Sequence, residues 1–189
     1  MIFRYKALPA LIYLAVLLIF ALLLSACGTV ESQAESNNGS ENESEIKIGP
    51  LPGYLAPDFE LEDLTGQKVR LSSLRGKILV INFWSTSCRY CLQILPDFDE
   101  FNRSKAEDVV VLMVNLDVNN DRLPLYIENQ GFTFTVLKDE RGEAARSYLI
   151  YGMPTTIFVD KDGIVSMRLE GPLNKSHLDS IVEQIRQKS

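Results

Sequence analysis

Histidine is nearly missing from this chain. Its 189 residues contain one, His177. A zinc site usually draws four ligands from Cys and His, and Cys27, Cys88 and Cys91 are the only cysteines beside it. Haem attachment through C-x-x-C needs a histidine directly after the second cysteine, and Leu92 stands there. Three cysteines are too few for a disulfide framework and leave one odd thiol to explain. Positive charge is short as well. The 19 Lys and Arg face 25 Asp and Glu, a net charge of −6, so the basic footprint of a nucleic-acid binder is absent.

One long apolar run is present, at the front. Arg4 and Lys6 precede residues 7–24, "ALPALIYLAVLLIFALLL", which carry no charge, and the next charged residue is Glu31. A run of this length fits a long signal h-region or a short membrane span. "LSAC", Leu24 to Cys27, then supplies an aliphatic residue, two small residues and a cysteine. Small side chains suit a signal-peptidase cut, and the Cys27 thiol is the atom that receives a lipid. The pattern resembles a bacterial lipoprotein signal and accounts for the odd cysteine. The alternative is an uncleaved anchor with an inert Cys27. In both cases the basic residues stay inside, and the rest of the chain is expected beyond the cytoplasmic membrane. Cutting before Cys27 removes two positive charges and no acid. Anionic lipid heads then attract nothing, and the lipid itself must hold the protein to the membrane.

Residues 28–47, "GTVESQAESNNGSENESEIK", have only Val30, Ala34 and Ile46 as apolar side chains. Such a stretch buries too little to offset its ordering entropy. A flexible tether of this length reaches about 25 Å on average. The expected organisation is a signal peptide over 1–26, a lipidated flexible linker over 27–48 and one folded domain over 49–189.

Within that domain, "FELEDLTGQKVRLSSL" predicts two short strands, Phe59–Asp63 and Lys68–Leu71, around a Thr65-Gly66 turn. "KILVINFW", residues 77–84, and "VVVLMVNLD", residues 109–117, predict central strands buried on both faces. Between them Cys91, Ile94, Leu95, Phe98 and Phe101 fall on one face of a helix starting near Arg89, with Pro96 inside it as a kink site. The strand–helix–strand passage predicts a right-handed parallel crossover. Helices are expected over 121–130, with Gly131 after it, and over 143–149. "FTVLK" suits a short strand, and "TTIFVDKDGIVSMRLE" two strands around Lys161-Asp162-Gly163. "YGMPT" reads by itself as a turn before an edge strand. Asn174 is expected to cap a last helix whose inner face holds Leu178, Ile181, Val182 and Ile185. His177 falls on the polar side of that helix.

The pair Cys88 and Cys91 sits where the first central strand hands over to its helix, the end of an α/β sheet at which sites cluster. A helix N-terminus stabilises a thiolate, and Arg89 adds a positive neighbour to Cys88. Cys91 lies one turn on, on the buried face. One sulfur of such a pair attacks an outside disulfide and the second resolves the mixed disulfide. A permanent structural bridge is the alternative, but a two-residue gap closes too small a loop to stabilise much by chain entropy.

"FWSTSCRYC", "APDFELEDLTGQKVRLSSLRGK" and "GMPTTIFVD" together resemble the TlpA/ResA-like branch of the thioredoxin superfamily, over about Gly49 to Ser189. The resemblance implies an α/β, thioredoxin-like fold with an N-terminal β-hairpin and a central insertion. It implies a membrane-tethered, extracytoplasmic thiol-disulfide oxidoreductase, with Cys88 attacking and Cys91 resolving. Pro154 matches the family's cis-proline, which faces the disulfide and lets the Met153 backbone pair with a substrate chain. Trp84 matches a tryptophan four residues before the first cysteine and reads equally as core packing. Tyr90, between the cysteines where many members have proline, joins Trp84, Met153 and Pro154 as an expected substrate-facing residue. The implied partners are cysteine-containing proteins, apocytochrome c among them, and an integral membrane thiol or electron-transfer protein. No cofactor, metal or nucleic acid is implied.

The chain departs from the family at four places. Tyr90 replaces the proline, and Ser87 an aromatic residue. Ile94 stands where related reductases carry a glutamate, and Asn82 where thioredoxin has a buried aspartate. A buried unpaired carboxylate titrates near neutrality and serves the resolving thiol as a base. With both usual places filled by neutral groups, Asp117 is the nearest substitute. The direction of transfer stays open: Arg89 and the missing acid favour a thiolate and an oxidant, the resemblance a reductase. A thiol peroxidase is a further alternative, since residues 56–77 also resemble the opening of peroxiredoxins. Those carry Pro and Thr seven and three residues before the reactive cysteine, where Ile81 and Ser85 stand here. A non-catalytic binding lipoprotein with a fixed bridge is the last.

Overall fold

The structure is a computed structural model that describes residues 47–188. The apolar leader, Cys27 and most of the linker lie outside the described residues. Pairing begins two residues ahead of the domain start read from composition: Ile48 bridges Leu55, and the Leu55 N–H donates to the Lys47 carbonyl at 2.8 Å.

The centre of the fold is β3 (Ile78–Trp84), in which every residue is buried. With both faces covered, it reads as a continuous apolar run rather than an alternation. The preceding elements are β1 (Glu60–Asp63), β2 (Lys68–Arg70) and a 3-10 turn over Leu71–Leu74. After β3 come α1 (Arg89–Ser104), β4 (Val109–Asn115), α2 (Leu123–Gln130), β5 (Thr135–Lys138) and α3 (Glu143–Ser147). The chain closes with β6 (Thr155–Val159), β7 (Val165–Glu170) and α4 (Lys175–Arg186). The strands form one sheet in the order β2-β1-β5-β4-β3-β6-β7. β3 and β4 are parallel, in register from Ile78 opposite Val109 to Trp84 opposite Asn115, with α1 as their crossover.

Alternation along β3 divides the core. Ile78, Val80 and Trp84 pack with Cys91, Leu95 and Phe98 of α1 and with Leu178 and Val182 of α4. Leu79, Ile81 and Phe83 pack on the other face with Phe59, Leu71, Ala144 and Tyr148. The buried positions of α1 are the predicted five plus Asp99. That carboxylate accepts bonds from Thr133 N–H and Oγ1 and from Arg103 Nε, tying α1 to the loop before β5.

The hairpin and the central insertion meet at one strand. β5 lies parallel to β4 on one side and antiparallel to β1 on the other. β6 corrects the expectation of an edge strand, since it lies between β3 and β7. Pro154 is tolerated because it stands before the strand, where no ladder N–H is required, while its carbonyl accepts Gly171 N–H at 2.8 Å. Gly163 is demanded twice over. Its φ is +80°, and the place of a Cβ is filled by the Arg75 guanidinium, which donates to the Asp162 carbonyl. His177 is exposed, and its Nδ1 accepts Asn174 N–H at 3.4 Å in a reciprocal cap of α4.

Candidate active site

β3 ends at Trp84 and α1 begins at Arg89, so Ser85–Cys88 must turn the chain in one step. The Cys88 N–H donates to the Ser85 carbonyl at 3.2 Å and closes that turn. Cys88 becomes the N-cap of α1, with its Sγ accepting Cys91 N–H at 3.2 Å. A sulfur held this way receives the free amide and the positive end of the helix dipole together. Cys88 and Cys91 form a disulfide, with Cα atoms 5.2 Å apart. Cys91 is fully buried and Cys88 half-buried, so a thiol approaching from solvent reaches Cys88.

The loop before β6 faces the pair. The Met153–Pro154 peptide is cis, and Cys88 Sγ lies 3.7 Å from the Met153 carbonyl oxygen. Met153 is exposed, and Tyr151 and Tyr90 stand further out in solvent, at 88% and 62% exposure. Pro154 is buried. Among the described residues no group bonds the Met153 N–H. Trp84, expected either as a substrate contact or as core, has no exposed surface. It packs beneath Cys91, and a side chain without surface touches no substrate.

The two sulfurs have unlike surroundings. Beside Cys88 is a polar web that sequence reasoning missed. The Asp117 carboxylate accepts bonds from Ser85 Oγ, Thr86 N–H, Asn115 Nδ2 and Asn120 Nδ2. Ser85 Oγ also meets Ser87 Oγ at 2.8 Å and accepts Ser87 N–H. Partial burial pushes the Asp117 carboxyl up, but the bonds from Ser85, Thr86 and Asn120 outweigh it and hold its pKa at about 2. This corrects the expectation that Asp117 replaces the missing base, because a carboxylate so tightly bonded takes no proton near neutrality. The only signal was a set of polar residues ending two otherwise apolar strands.

Beside Cys91 the surroundings are apolar but for one pair. Asn82 and Thr156 are fully buried opposite each other on β3 and β6, and Asn82 Nδ2 donates to Thr156 Oγ1 at 2.9 Å. Among the described residues Asn82 Oδ1 and Trp84 Nε1 have no hydrogen-bond partner. Among the described residues two acids are buried, and both are engaged elsewhere. Asp99 is held by Thr133 and Arg103, and Asp139 caps α3 through Glu143 and Ala145 N–H.

The AhpC/TSA family profile matches residues 52–168, the span that holds both the C-x-x-C pair and the cis-proline loop. The thiol-disulfide oxidoreductase ResA of Geobacillus kaustophilus is 33% identical over 141 residues, 74% of this chain and 81% of that one. The chain belongs to the AhpC/TSA family, among its ResA-like thiol-disulfide oxidoreductases. Solved structures agree with a ResA-like domain. A thioredoxin-family thiol:disulfide interchange protein of Chlorobium tepidum matches with a TM-score of 0.64 and 26% identity, covering 72% of this chain and 96% of that one. The exposed lipoprotein thioredoxin Etrx1 of Streptococcus pneumoniae matches with a TM-score of 0.60 and 29% identity, covering 69% and 99%. The peroxiredoxin-like positions of this ResA-like chain are otherwise engaged. Ile81 is buried in the sheet on the face away from Cys91, and the Ser85 hydroxyl donates to Asp117 rather than to Cys88.

Proposed function

We propose that the protein is a lipid-anchored thiol-disulfide reductase that works on cysteine-containing proteins outside the cytoplasmic membrane. The observation that carries this is the asymmetry of the pair: Cys88 reachable at a helix N-terminus, Cys91 buried one turn behind it. The Cys88 thiolate attacks one sulfur of a substrate disulfide, and the other leaves as a thiolate that takes up a proton. Cys91, losing its proton, then attacks Cys88 Sγ and releases the second substrate thiol. The substrate gains two electrons and the protein becomes the disulfide. A membrane dithiol donor returns it to the reduced form. Met153 offers a free backbone N–H to an extended substrate chain, and Met153, Tyr90 and Tyr151 offer apolar contact beside it.

The reductase direction and apocytochrome c as one target rest on the resemblance. The anchor rests on "LSAC" and is supported by the lipoprotein thioredoxin of Streptococcus pneumoniae among the structural matches. Among the described residues no helix is long and apolar enough to cross a membrane.

The test is the equilibrium potential of Cys88/Cys91 in a chain lacking residues 1–26 with Cys27→Ser, titrated against glutathione and dithiothreitol. A value near about −270 mV supports a reductase. A value near about −120 mV makes the protein a disulfide donor, and one well below about −300 mV a structural bridge. The family profile alone favours a second reading, a thiol peroxidase. Consumption of peroxide by the same chain at the rate of its disulfide exchange establishes that instead.

A further inference from the structure

The web around Asp117 is built for a fixed charge. Its carboxylate stands just past the end of β4, which flanks β3 on the side opposite β6, and gathers donors from Ser85, Thr86, Asn115 and Asn120. Two of those residues belong to the turn that delivers Cys88. Thr86 and Cys88 are two residues apart, at most about 7 Å of chain, and the Cys88 N–H folds back onto Ser85. The 3.0 Å bond from Thr86 N–H, that span and the Cys88 side chain together keep the charge within about 13 Å of the sulfur.

We propose that Asp117 is a positioning residue of the redox pair, holding the Ser85–Ser87 turn and setting a permanent negative charge near Cys88 that disfavours its thiolate. This deepens the reading above and rests on Cys88 being the exchanging thiol. Reduction of the bridge by glutathione consumes two thiols and yields one dithiol protein and one glutathione disulfide. An anion near Cys88 destabilises the reduced side of that equation wherever the thiolate is populated. It lowers the potential, the direction a reductase needs. It opposes the helix N-terminus and Arg89, which act the other way.

Other charges in the surrounding elements do not do this. Arg89, Asp121 and Arg122 are exposed, so solvent screens them. Glu170, opposite Thr155 on β7, is paired with Arg168. Tyr90 and Tyr151 are exposed as well. Among the described charged residues Asp117 alone is half-buried and bonded to the turn.

An anion at this range, across an effective dielectric of about 20, moves a thiol pKa by on the order of one. The experiment uses the reduced full chain in detergent. Alkylation of Cys88 across pH, read by peptide mass, yields its pKa, and glutathione titration yields the potential. D117N is expected to lower the Cys88 pKa by about one and to move the equilibrium toward the dithiol up to about tenfold, about 30 mV. Ser85→Ala removes a bond of the turn but keeps the charge, and is expected to leave the Cys88 pKa in place. A Cys88 pKa indifferent to D117N, or moved equally by both substitutions, overturns the proposal alone. A bridge that neither glutathione nor dithiothreitol opens overturns the exchange reading and this proposal with it.

Discussion

The two sulfurs of one disulfide sit in regions made of opposite materials. Cys88 rests on a turn of serines and threonine wired to a carboxylate, at the surface. Cys91 lies with Trp84, Leu95 and Phe98 in a core whose buried polar pair is Asn82 and Thr156. The difference separates two tasks that one chemical group cannot combine. The attacking sulfur needs access and an anion whose stability is set by the charges around it, and the resolving sulfur needs protection from everything except its partner.

Removing each sulfur breaks the comparison most severely. Cys88→Ser is expected to abolish exchange with a protein disulfide. Cys91→Ser keeps the attack but leaves the mixed disulfide unresolved, so covalent adducts accumulate on non-reducing gels. Equal loss without adducts contradicts the assignment of roles.

Next comes the packing under Cys91. Phe98→Ala deletes a fully buried ring between α1 and the sheet and is expected to lower stability by about 3–5 kcal/mol, read by urea unfolding. A change below about 1 kcal/mol means that the apolar side is not the rigid one.

Asn82→Asp makes the apolar side ionisable. A buried carboxyl with Thr156 as its only bonded neighbour has a folded pKa above its unfolded value of about 3.9. This variant therefore matches the parent below about pH 4 and loses stability as pH rises toward the folded pKa. The expected gap at neutral pH is about 2–4 kcal/mol, since each tenfold change in acid strength is worth about 1.4 kcal/mol. A gap that does not widen with pH shows that position 82 is not dry.

The smallest effect is on the polar side and has the opposite slope. The folded pKa of Asp117, at about 2, lies below its ordinary 3.8. The stabilisation is present above about pH 4 and is lost as pH falls toward 2. Partial exposure limits it to about 1–2 kcal/mol. Asp117→Asn is expected to flatten this acid limb in urea titrations across the acid range, and an unchanged limb removes Asp117 as its source.

Much of the fold was legible because burial on both faces leaves a plain mark. The β3 and β4 runs, the α1 face and the Asn174 cap all have local causes. Lys68–Arg70 was legible as a strand, but the outer partner of its hairpin was not, since β1 pairs with β5 across more than seventy residues. The cysteines were legible by spacing, and Pro154 only by resemblance. Trp84 was ambiguous because a tryptophan before a motif has the same letter whether it faces inward or outward.

The sequence by itself determined which elements form and where the two sulfurs meet, because strand alternation, helical periodicity and a three-residue step act over a few neighbours. Only the tertiary structure decided what surrounds each sulfur. The Asp117 web joins residues about thirty positions apart, and the Asn82–Thr156 pair joins two strands seventy-four positions apart. The charge state of a carboxylate depends on how many donors reach it and how much water it keeps, and neither is written in its neighbours along the chain.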